Sequence, residues 1–178
     1  KKRIKTIYMN QFFTNKLRIV FSIILVTFFT LRGNAQALSG TYSIPGSYTT
    51  IQDAVNALNL NGVNGPVVFN IGAGSSYTEV LTGSINLGST TLNASVSSTN
   101  TITFQKATSA TSNPLITAFT GTKIASSTDS IDAIWSISGT DWVTIDGIDL
   151  LDPVANTSNI TTMEVGFGLY RASTTEEV

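Results

Sequence analysis

The sequence predicts an all-β fold, wound as a parallel β-helix (a solenoid) and opened by one capping α-helix. Three observations carry the prediction. Apolar residues beyond position 37 fall in short runs of period two. Only one stretch has helical spacing. Similar apolar positions recur at steps of 20 to 22 residues, as from Phe104 to Ile124, Ile124 to Ile145, Ile145 to Phe167 and Ile148 to Tyr170.

The first 37 residues stand outside that fold. Ile19 to Leu31 is a run of thirteen residues without a charge, bracketed by Arg18 and Arg32. A membrane-spanning helix needs about 20 apolar residues, so the run is short for a span. A basic flank, an apolar stretch and the small-residue segment Gly33-Asn34-Ala35-Gln36-Ala37 make a secretory signal, with cleavage after Ala35 or Ala37. Residues 1–8 precede Met9, where a signal of ordinary length would begin. The expected organisation is residues 1–37 as signal and upstream residues, and 38–178 as the N-terminal part of a solenoid domain. Secretion or display on the outer surface of a bacterium follows, with membrane contact only during export.

Charge divides the chain at the same place. Residues 1–37 hold seven bases and no acids. Residues 38–178 hold three bases and eleven acids, a formal charge of −8. So acidic a body is a poor ligand for phosphate backbones, which argues against nucleic acid as a partner. The sequence has no Cys and no His, so disulfides, Cys nucleophiles, Ser-His-Asp triads and His-ligated metals are all excluded.

Ser and Thr make up 42 of the 141 residues after Ala37. That load could mark disorder. The runs Val67–Ile71, Thr101–Gln105, Ile134–Ser138, Trp142–Asp146 and Val165–Leu169 argue instead for strands, with Gly, Asn, Ser and Asp between them. The helical stretch is Thr50 to Asn59. Ile51, Ala54, Val55 and Leu58 share one face, Thr50 and Asp53 form a capping-box-like start, and Asn61-Gly62 is a stop. No further helices alternate with the strands, which disfavours a doubly wound α/β domain. A solenoid and a β-sandwich both remain. The helix, placed just ahead of the first strand, favours the solenoid because it would cover an open strand edge.

The stretch Tyr48-Thr49-Thr50-Ile51-Gln52-Asp53-Ala54-Val55-Asn56-Ala57-Leu58 resembles the opening helix of pectinesterases and other right-handed parallel β-helix proteins of the pectin lyase-like class. Gly65 to Ile71, Gly72 to Glu79, Thr101 to Phe104 and Trp142 to Ile148 are similar to the rungs that follow it there. Thr162 to Leu169 resembles a stretch of large secreted bacterial surface proteins, often exported by type IX secretion. The resemblance covers roughly residues 38–175. It implies a right-handed coil and a surface module for adhesion or glycan contact without catalysis. The alternative it implies is the start of a polysaccharide lyase or carbohydrate esterase. The catalytic Gln, Asp and Arg of pectinesterases have no matching position in this chain.

Two groups of residues are candidates for binding. Asp146, Asp149 and Asp152, with Asp141, Asp129 and Asp132, form the densest acidic cluster. Calcium takes six to eight oxygens, and acidic calcium sites occur in polysaccharide lyases of the resembled class, so calcium is the candidate cofactor. If Val143 and Ile145 face inward, Asp146 faces outward, Gly147 marks a corner and Asp149 is again outside. The competing reading is a set of solvated turn acids. Among Tyr42, Tyr48, Tyr77, Trp135, Trp142 and Tyr170, Trp142 is the best placed to stack on a sugar ring, because it lies out of phase with Val143 and Ile145.

Overall fold

A computed structural model describes residues 36–72, 76–78, 85–121, 133–157 and 165–173. The chain divides into two compact units, Lys1–Ala35 and Gln36–Val178, and the described residues lie in the second. Among the described residues ten strands and three helices follow one another: β1 (Leu38–Ile44), α1 (Ile51–Asn61), β2 (Val63–Ile71), β3 (Ser76–Thr78), β4 (Ile85–Leu87), α2 (Thr90–Asn93), β5 (Ile102–Lys106), β6 (Leu115–Thr117), β7 (Ala133–Ser138), β8 (Val143–Asp146), β9 (Asp149–Leu151), α3 (Val154–Thr157) and β10 (Val165–Tyr170).

The strands form three sheets, with orders β1-β2-β5-β8, β3-β6-β9 and β4-β7-β10. Every strand pairing among the described residues is parallel. From β2 onward the chain visits the first, second and third sheet in turn, three times over. Parallel neighbours need a long crossover, and here the rest of each round supplies it. Among the described residues the antiparallel pairing of a β-sandwich is not seen.

Side-chain alternation sorts each strand into a buried and an outer face. On β2, Val67, Phe69 and Ile71 are buried while Val68 and Asn70 are half-buried. Register then stacks like on like. Tyr42, Phe69, Phe104 and Ile145 are successive partners across the first sheet. Phe69 and Phe104 lie face to face with centroids 4.7 Å apart, and Trp135 meets Phe104 edge-on at 5.0 Å. These three rings are wholly buried. Burial of each such side chain contributes about 1.5–3 kcal/mol.

Helix α1 forms for local reasons. The Thr50 side chain accepts the Asp53 N–H at 3.0 Å, and the Asp53 carboxylate accepts the Thr50 N–H at 3.1 Å, which completes the capping box. Gly62 ends the helix at φ 66°, donating its N–H to the Leu58 carbonyl. A side chain there would be strained, and its Cβ would lie 2.7 Å from Ser95 Oγ. Ile51, Ala54, Val55 and Leu58 join the core. Among the described residues no helix is long and apolar enough to cross a membrane.

Two sequence expectations are corrected. The helix does not precede the first strand: β1 comes earlier and pairs with β2. The helix packs instead against β4, α2 and β1. The step of 20 to 22 residues is also not the stacking period. Partners in the first sheet lie 35 residues apart, from 69 to 104, and 41 apart, from 104 to 145. Ile145 sits in the first sheet and Phe167 in the third, so they do not stack. Each round presents inward residues in three sheets, and similar residues close in sequence therefore belong to different sheets. Ile124 lies outside the described residues.

Candidate functional site

The outer face of the four-stranded sheet carries two rows of mostly polar side chains. Register places Thr41, Val68, Thr103 and Thr144 in one row. It places Ser43, Asn70, Gln105 and Asp146 in the other. Strand spacing sets about 4.8 Å between successive members. The Gln105 amide donates to Asn70 Oδ1 at 2.9 Å, which fixes both amides in line across the rounds. The ends of the rows, Thr41, Ser43, Thr144 and Asp146, are exposed, and the middle members are half-buried. The face thus offers hydroxyls, amides and one carboxylate at a regular interval.

Trp142 flanks this face. It immediately precedes β8 and is 55% exposed. Its backbone is left-handed, φ 57°, the one such non-glycine among the described residues. Its carbonyl accepts the Ile102 N–H at 3.0 Å, which ties the strained residue to the start of β5. The strain is of the kind a surrounding structure must hold in place.

Asp146 and Asp149 are placed as the alternation predicts. Asp146 and Asp149 are exposed on either side of Gly147, which turns the chain at φ 64°. Ile148 and Leu150 pack on the core. Asp149 Oδ1 accepts the Asn113 amide at 2.9 Å. Asp152, half-buried, accepts the Asn156 amide at 2.8 Å. Among the described residues no group of three or more acidic side chains that could hold a metal ion is found. Asp129 and Asp132 lie outside the described residues.

The other aromatic candidates divide. Trp135 is buried in the core and cannot stack on a ligand. Tyr42 stacks on Phe69 at 5.5 Å, and Tyr48 meets both edge-on. Burial, with the neighbouring Tyr42 adding to it, pushes the Tyr48 phenol above its ordinary pKa. Tyr170 is half-buried. The side chain of Tyr77 lies outside the description.

Three asparagines matter that sequence reasoning missed. Asn59 on α1 accepts the Gly88 N–H at 2.9 Å and donates to the Asn86 carbonyl at 2.8 Å. Asn156 on α3 does the same to Gly121 N–H and the Phe119 carbonyl, at 2.8 and 2.6 Å. Asn93 on α2 donates to the Ser138 carbonyl at 2.9 Å and accepts the Thr140 hydroxyl at 2.6 Å. Each amide binds backbone of an adjacent round much as a neighbouring strand would. Asn93 and Asn156 both fall in N-glycosylation sequons, yet both are spent on these bonds.

No family model matches the chain, and neither a curated protein nor a solved structure matches it.

Proposed function

We propose that this chain is the opening module of a right-handed parallel β-helix, secreted or displayed on a bacterial surface, that contacts glycans without catalysis. Three all-parallel sheets visited in fixed rotation support the winding. The basic and apolar signal-like segment, followed by small residues, supports export. The kinship proposed is with the pectin lyase-like class, on the helix and rung motifs quoted above.

One observation carries the binding role: the two in-register rows on the outer face of the first sheet, flanked by exposed Trp142. A linear polysaccharide lying across the strands meets one polar group per strand, and its sugar faces suit the indole. The acidic body disfavours polyuronates and favours neutral or cationic chains.

A glycan array probed with the whole chain and with Gln105→Ala and Trp142→Ala tests this reading. Binding to a neutral or amino-sugar polysaccharide that both variants weaken supports it. No binding to any polysaccharide, or binding indifferent to both variants, removes the glycan role.

A further inference from the structure

Two asparagines in the sequence are followed by glycine, Asn61 and Asn64. That order carries chemistry. Glycine has no side chain to shield its backbone nitrogen, so the nitrogen can reach the carboxamide carbon of the asparagine before it. The fold treats the two pairs in opposite ways. Asn61 closes α1. The buried Gly62 donates its N–H to the Leu58 carbonyl at 2.8 Å, and the Asn61 amide donates to the Ala57 carbonyl at 2.9 Å. Both reacting groups are held, and they meet only if the last helical turn opens.

Asn64 is exposed, and its side chain makes no hydrogen bond among the described residues. The register of β1 on β2 jumps from Leu38–Val63 to Gly40–Val67, and β5 meets β2 from Val67 onward. Asn64, Gly65 and Pro66 thus form a bulge with no registered partner among the described residues on either side. Its ends are fixed, by the Val63 N–H on Ser95 Oγ at 2.9 Å and the Val67 N–H on the Thr101 carbonyl at 2.8 Å. Between these ends the backbone can turn without breaking a ladder.

From the exposed amide and the bulge together, we propose that Asn64 is a site of spontaneous deamidation. The Gly65 nitrogen attacks Cγ of Asn64. A C–N bond forms, the side-chain nitrogen leaves as ammonia with the Gly65 N–H proton, and a succinimide ring results. Water then opens the ring at either carbonyl. One opening leaves an aspartyl residue at position 64, and the other an isoaspartyl residue with a longer backbone. Each product adds a carboxylate beside β1. The bulge takes up the longer backbone, since no ladder partner has to follow it. The inference is independent of glycan binding.

The whole chain is aged in mildly alkaline buffer, folded and in concentrated urea, and conversion is localised by fragment-ion mass spectrometry. Chromatography separates the aspartyl and isoaspartyl products. In the folded chain Asn64 is expected to convert, with Asn61 about thirtyfold slower, as fits two hydrogen bonds that must open first. In urea the two sites are expected to convert at similar rates. Asn64→Gln, whose longer side chain would close a larger and slower ring, is expected to abolish the early conversion and to keep the melting temperature. Fragment ions of the unaltered chain assign the site on their own if Asn64→Gln fails to fold. Equal rates at Asn61 and Asn64 in the folded chain overturn the inference, as does a folded Asn64 that stays intact while the unfolded one converts. A gap of the same size in urea also overturns it, by tracing the difference to the sequence rather than to the fold.

Discussion

Asn59 and Gly88 are joined by a hydrogen bond of 2.9 Å between a helix side chain and the backbone N–H just past β4. The same amide reaches the Asn86 carbonyl at 2.8 Å, so one side chain satisfies a donor and an acceptor that a missing strand would have paired. Asn59→Ala leaves both groups without that partner. It is expected to cost about 1–3 kcal/mol. Asn59→Asp keeps the acceptor and loses the donor, and falls between. Urea titration of the three proteins checks the order, and equal midpoints would dismiss the amide as an edge cap.

The aromatic column gives a contrast inside the core. Phe104 touches Phe69 on one side and Trp135 on the other, and is wholly buried. Phe104→Ala is expected to destabilise by about 3–5 kcal/mol. Trp135 is as deeply buried, but its Nε1–H is without a hydrogen-bond partner. Trp135→Phe trades lost ring area against relief of that stranded donor, and costs at most about half as much. Chemical denaturation of both variants decides the point. A Trp135→Phe loss as large as that of Phe104→Ala would show that the indole N–H carries no penalty.

Tyr48 gives a pH dependence of known sign. Its folded pKa lies above the ordinary value, because burial, with Tyr42 adding to it, disfavours the phenolate. The folded state therefore holds this proton more tightly than the unfolded chain. The contribution is complete below the unfolded value of about 10 and is lost as pH rises through the higher folded value. Stability followed from pH 8 upward should fall in this range, and Tyr48→Phe should flatten the fall. An unchanged slope in the variant would place the alkaline loss elsewhere.

What the sequence revealed depended on the range of each interaction. Helix α1 was legible to its caps because Thr50, Asp53 and Gly62 act within a few residues of one another. Strands β2, β5, β7, β8 and β10 were legible because each is four or more residues long and alternates. Strands β3, β4, β6 and β9 are three residues each, too short for a period to show. Strand β1 is broken by Gly40 and by hydroxyl residues, and forms because β2 is there to pair with it. The single-turn helices α2 and α3 have no apolar stripe to detect. Outward placement of Asp146 and Asp149 followed from alternation around Gly147, whereas the rows on the outer face did not. They depend on rounds of unequal length, so Asn70 and Gln105 meet across 35 residues without a local signal.

Trp142 separates stability from binding. A tryptophan at φ 57° holds a conformation that suits glycine, at a cost of about 1–3 kcal/mol. Its side chain is 55% exposed, so little packing is lost on removal. Trp142→Gly is therefore expected to leave stability unchanged or raise it by up to about 1 kcal/mol. Trp142→Ala keeps the strained backbone and gains nothing. Both variants are expected to lose glycan affinity together if the ring stacks on sugar. Thermal melts alongside affinity electrophoresis in polysaccharide gels read the two effects separately. A Trp142→Gly protein that melts lower than Trp142→Ala would show that the ring itself supports the fold, and retained gel retardation in both would remove Trp142 from the binding face.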